Sequence, residues 1–102
     1  MFWSFLFSKR NSKLTGRWVD ASVASGAAGF FLGTGGAAKS LDASWPQYTA
    51  WRRSGDTLML WGRVLRGDEH IDFIESLHIH KLTDDELILG RSDDTFEYRR
   101  DA

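Results

Sequence analysis

Three features of this 102-residue chain have residue types and spacings that could do chemistry. They are a carboxylate inside an apolar strand, two histidines two positions apart, and a glycine-rich loop. The carboxylate is Glu75, within the stretch IDFIESLHIH at residues 71–80. Odd positions there read Ile71, Phe73, Glu75, Leu77 and Ile79, and even ones Asp72, Ile74, Ser76, His78 and His80. Successive side chains of a strand point to opposite faces, so Glu75 shares the face that should be buried. An unpaired carboxylate there is costly and must find a donor or shift its pKa upward. Candidate donors are Arg52, Arg53, Arg63 and Arg91, with the hydroxyls of Tyr48 and Tyr98. Three roles stay open: a structural pair (or a bulge that turns Glu75 to solvent), a polar anchor inside a ligand cavity, and a general acid. The last is the weakest, because no second carboxylate or nucleophile is placed beside it.

His78 and His80 lie on one face of the same strand, together with Asp72 and Ile74. They could supply two metal ligands, but a zinc site needs three or four, and His70 is eight residues from His78. A solvated outer face is the simpler reading, and no metal or other cofactor is expected. The loop GTGGAAKS at residues 33–40 lacks the G-x-x-x-x-G-K-[ST] spacing, and no helical pattern follows it. It reads as a hairpin turn, not a phosphate cradle.

The elements that must position these residues are strands. Short runs of apolar and alternating residues fall at 14–22, 29–32, 37–41, 47–53, 57–64, 69–81, 86–91 and 95–100, separated by Gly, Asp and Ser turns. No stretch of ten or more residues carries a helical apolar stripe. Regular strands joined by hairpins describe a meander, which can remove its own edges by closing into a barrel. Composition agrees, at 42% apolar and 26% charged with ten Gly and a single Pro, values ordinary for a globular domain. The length gives one domain with a modest core. Aromatics reach 14%, so a few large rings fill or line the interior. Thirteen basic against fourteen acidic residues leave a net charge of -1, which does not suit nucleic acid. There is no cysteine, which removes disulfides, thiol catalysis, Cys-ligated zinc and an acylated lipoprotein cysteine.

Residues 1–13 form a segment apart from the domain at 14–102. MFWSFLF is apolar and is followed by Lys9, Arg10 and Lys13. It is too short to span a bilayer, which takes about 20 residues. Its charge order is also wrong for a signal peptide. It can pack on the domain, contact a membrane surface through its rings and basic residues, or be the remnant of a longer leader.

Gly16-Arg17-Trp18 on the first strand and Tyr98-Arg99-Arg100 on the last resemble the lipocalin layout. That resemblance implies that Trp18 packs at a closed barrel end and that Arg100 covers its ring, with Gly16 completing the G-x-W. The blocks GFFLGTGGAAKS, QYTAWRRSGDTLMLWGR, IDFIESLHIHKLTDDELIL and FEYRR keep the order and approximate spacing of a small bacterial lipocalin-like family. The family is envelope-associated in Bacteroidetes-type organisms and has no established common ligand. The similarity spans residues 14–100. It implies an antiparallel, eight-stranded, up-and-down barrel, short and either fully or incompletely closed.

The residues and the resemblance together suggest a non-enzymatic, monomeric protein that binds a small apolar or amphipathic ligand. Trp51, Phe73, Glu75 and Leu77 are the expected lumen contacts. The competing expectation is a structural or interaction module whose interior is filled by Trp51, Trp61, Phe30, Phe31, Phe73 and Phe96. A filled or nearly filled interior is slightly favoured.

Overall fold

The computed structural model describes residues 13–23, 28–42 and 46–101. The expectations for the apolar N-terminal run therefore fall outside the described residues, apart from Lys13. Eight antiparallel strands follow one another: β1 (Gly16–Asp20), β2 (Gly29–Leu32), β3 (Ala38–Ser40), β4 (Gln47–Ser54), β5 (Thr57–Arg66), β6 (Glu69–Leu82), β7 (Glu86–Arg91) and β8 (Asp94–Arg100). A single 3₁₀ turn, Thr34–Gly36, joins β2 to β3 where the glycine-rich loop predicts a turn.

The strand order is β3-β2-β1-β8-β7-β6-β5-β4, so every neighbour is consecutive except β1 and β8. That pair, through Trp18↔Arg100 and Asp20↔Tyr98, brings the two halves of the chain together. The sheet curls until its edges, β3 and β4, face each other. Their seam carries one isolated bridge, Ala37↔Ala50. Side chains tie the rest. The Tyr48 N–H donates to Ser40 Oγ (3.0 Å), whose hydroxyl donates to Pro46 O (3.0 Å). The Trp51 indole N–H donates to Gly33 O (2.8 Å). The result is a barrel closed except along this seam.

Alternation decides which residues are inside. On β5, Leu58 and Leu60 are fully buried while Met59, Trp61 and Arg63 face outward. On β6, Leu77 and Ile79 are buried and His78 and His80 exposed. Two bulges shift this parity. One lies between Tyr48 and Ala50 on β4, so that Tyr48 and then Trp51 point inward. The other lies between Ile79 and Lys81, leaving His80 as the extra residue and turning Leu82 back inward.

One end of the barrel is solid. Leu14, Trp18, Leu32, Leu58, Leu87 and Leu89 are at most 2% exposed and form a single cluster. The Trp18 indole N–H donates to Leu14 O at 2.8 Å, which removes the cost of burying it. The Arg100 guanidinium stacks 4.2 Å from the centre of the Trp18 ring and donates to Thr15 O and Asp84 O (both 2.6 Å) and Lys13 O (3.0 Å). Gly16 has φ +130, and a Cβ there would lie 2.5 Å from Arg100 Nη1. L side chains rarely adopt that conformation. Only glycine lets the last strand's arginine reach across the first.

The other end is uneven. β6 pairs with β5 from Glu69↔Arg66 to His78↔Thr57, but with β7 only over His78–Leu82. The outer half of the β5–β6 ribbon thus projects beyond the β7–β8 hairpin.

A candidate ligand cavity

A cavity of about 380 Å³ opens at this uneven end. The filled part of the interior is the Trp18 end, and the hollow lies away from it. β5 and β6 supply Leu60, Val64, Phe73, Glu75 and Leu77 to the wall. β2, β4 and β8 add Phe30, Tyr48, Phe96 and Tyr98, with Arg91 arriving from the end of β7. The rings interlock: Phe30 is 4.8 Å from Tyr98 and 5.9 Å from Tyr48, and Tyr48 is 6.1 Å from Phe73, centre to centre. Gly62 makes room for this wall. It is paired with Phe73, and a Cβ on it would meet Phe73 Cζ at 2.6 Å and Gln47 O at 2.8 Å.

Glu75 is on the inner face, as the alternation predicts, and its side chain is 16% exposed. Its donor is Arg91, which forms an ion pair with Glu75 Oε2 while staying 50% exposed itself. Arg91 also lies 5.4 Å from the centre of the Phe96 ring. A long 3.5 Å contact from the Tyr48 hydroxyl reaches the second carboxylate oxygen. Glu75 is thus both a partner in an ion pair and part of the cavity wall. Burial, then the Glu75 charge and hydrogen bond, push the Tyr48 pKa up to about 12, because each disfavours the phenolate. Burial raises that of Tyr98 further still. Both phenols stay protonated, and thus able to donate, through the physiological range.

Of the four expected lumen contacts, Phe73, Glu75 and Leu77 meet in this cavity and Trp51 does not. The bulge on β4 aims Trp51 inward but lower down, where it packs against the solid core and reaches Gly33 across the seam. Two further candidate rings do not reach the cavity either: Phe31 is 43% exposed, and Trp61 lies over an outer groove with Ile74. Leu60 and Val64 complete the wall, and the sequence signal for them is the parity they share with buried Leu58, opposite to that of Trp61. The His78 and His80 rings stack edge-on at 4.8 Å on the outer surface. No group of three or more His, Cys, Asp or Glu among the described residues is placed to hold a metal.

The fold is an up-and-down antiparallel barrel with one packed end and one hollow end. The family is more specific. Residues 10–101 match the family described as Lipocalin-like, and the chain belongs to it. A crystal structure of a lipocalin-like protein from Bacteroides thetaiotaomicron VPI-5482 superposes with a TM-score of 0.81 at 25% identity, covering 89% of this chain and 99% of that one. No curated protein matches the chain.

Proposed function

We infer that the protein binds a small apolar or amphipathic molecule, without catalysis, in the cavity between the β5–β6 ribbon and β8. The observation that carries this reading is the wall itself: apolar side chains and rings around a few placed polar groups, in a hollow of about 380 Å³ that opens to solvent. Ligand sites are typically of this make-up, and about 300–1,000 Å³ in volume. Val64, Phe73 and Phe96 provide the accessible apolar surface over a floor of Leu60 and Leu77, and Glu75 with Arg91 the polar end. Among the described residues lining the cavity, Glu75 is the one carboxylate and no serine, threonine or cysteine stands beside it, so a hydrolytic role has no support.

Titration with the neutral fluorophore N-phenyl-1-naphthylamine tests the reading. Emission should rise and saturate with wild-type protein, and Leu60→Phe, which fills the hollow, should abolish the rise while the protein still melts cooperatively. No enhancement, or equal enhancement in Leu60→Phe, would refute it. A second reading, an interaction module, draws support from the outer face, where Ile74 is 59% and Leu65 43% exposed. Ile74 also borders the outer groove of about 520 Å³ under Trp61. Ile74→Lys should leave fluorophore binding intact if the cavity is the functional site.

A further inference from the structure

The polar end of the ligand can be narrowed, on the premise that the cavity is a ligand site. Five rings border the hollow, those of Phe30, Tyr48, Phe73, Phe96 and Tyr98, and Glu75 is the carboxylate among them. Ring faces attract cations, and more strongly where water is excluded. The mouth already holds one. The Arg91 guanidinium sits between the Glu75 carboxylate and the Phe96 ring, at the end of a flexible side chain. Of the two partners, Arg91 is half exposed and Glu75 is mostly covered. The cation is therefore the outer, replaceable member, and the acid and ring behind it are fixed.

The neighbouring charges have the same sign. A smaller hollow of about 160 Å³ shares Phe30, Pro46, Tyr48 and Tyr98 with the cavity and adds Asp20 and Asp42 to its wall. Among the described residues lining the two hollows, Arg91 is the one base against three acids. An anionic head would have to share Arg91 with Glu75 and would face Asp20 beyond it. A cationic head would meet Glu75, the rings and a favourable field, and Arg91 could swing into water, where a guanidinium is readily solvated.

We propose that the cavity takes a cationic amphiphile, whose ammonium head replaces the Arg91 guanidinium at Glu75 and Phe96 and whose apolar part lies against Phe73 and Val64 over the floor of Leu60 and Leu77. Arg91 is then a built-in competitor that keeps the site neutral when it is empty.

Three probes with the same ten-carbon tail separate the possibilities: decyltrimethylammonium and decanoate, each titrated by calorimetry below its micellar concentration, and 1-decanol, titrated below its solubility limit. Wild-type protein should bind decyltrimethylammonium about tenfold more tightly than 1-decanol, with decanoate weakest. Arg91→Met should tighten the cation several-fold, by removing the competitor, and Glu75→Gln should erase the preference. Equal binding of decyltrimethylammonium and 1-decanol overturns the cation assignment and leaves the apolar-ligand reading standing. Preference for decanoate, lost in Arg91→Met, overturns it in favour of Arg91 as an anion anchor. Binding of none of the three defeats both. Should a variant fail to fold, the order of the three probes on wild-type protein still decides.

Discussion

Replacing Arg100 by methionine tests how the solid end of the barrel is held. The guanidinium covers an indole that is 0% exposed. Its cation–π attraction therefore belongs near the desolvated end of the range, about 2 kcal/mol. Of its three carbonyl contacts, the one to Thr15 is partly buried and the other two are exposed. The Thr15 bond adds roughly 1.5 kcal/mol, because its donor is charged, and the exposed pair about 0.5 kcal/mol together, because water can replace them. Methionine keeps some apolar cover over Trp18 and recovers about 1 kcal/mol. The expected net loss is about 3 kcal/mol. In a domain of this size each kcal/mol lowers the melting temperature by roughly 4–8 °C, so a fall of about 12–24 °C follows. Urea unfolding followed by tryptophan emission, with calorimetry alongside, measures both quantities. Arg100→Lys keeps the charge but not the three-way fork and should lie between the two. A loss below about 1 kcal/mol in Arg100→Met would show that the leucine cluster alone holds this end. Gly16→Ala supplies a cross-check, because its methyl collides with Arg100. Its cost in the Arg100→Met background should be smaller than in wild type.

Gly62→Ala is expected to destabilise by about 1–3 kcal/mol in urea titrations, because the backbone carbonyl of Gln47 cannot move aside as a flexible side chain could. Glu75→Gln should cost about 1 kcal/mol, since half-exposed Arg91 can rehydrate when its partner is neutralised. A loss above about 3 kcal/mol would mean that the pair is sealed from water. The chain has only two tyrosines, so absorbance at 295 nm reports Tyr48 and Tyr98 directly. Both have folded pKa values above the unfolded value of 10.0. The folded state therefore holds their protons longer, and the stability linked to them is complete below pH 10 and lost as pH rises through 12 and beyond. Its slope should be below the full linkage value of about 1.4 kcal/mol per pH unit per group, since neither phenol is wholly buried. Ionisation of both near pH 10 in protein that is still folded would contradict the burial of the two rings.

Most of the strands were legible because alternation is a local property: Leu58 and Leu60 against Met59 and Trp61, or Ile71 and Phe73 against Asp72 and Ile74, reveal a face without any knowledge of the partner. A meander able to close into a barrel follows from their number and their turns, and its lipocalin-like form from the resemblance carried by Gly16, Trp18 and Arg100. What alternation could not supply was height along the barrel. Trp51 and Tyr48 both point inward, but which of them borders the hollow depends on the bulge at Thr49 and on where β4 meets the seam. Likewise, Glu75 could be assigned a set of arginine donors but not Arg91 in particular. That choice requires the register of β6 against β7, which the extra residue His80 displaces by one. Bulges are backbone events with weak side-chain signatures, and here two of them decide the contents of the cavity. The overhang of the β5–β6 ribbon was similarly hidden, since it arises from the difference in length between two hairpins.

A fully closed barrel resists widening because its hydrogen-bonded hoop is continuous, and any change of girth must break ladder bonds all the way along a strand. The meeting of β3 and β4 interrupts that hoop, leaving one backbone bridge and a few side-chain ties through Ser40, Tyr48 and Trp51. The wall is therefore split like a spring collar, with its compliance concentrated along one line. Tyr48 lies on that line and also borders the hollow, so parting the collar there would widen the hollow while the leucine cluster around Trp18 stays clamped.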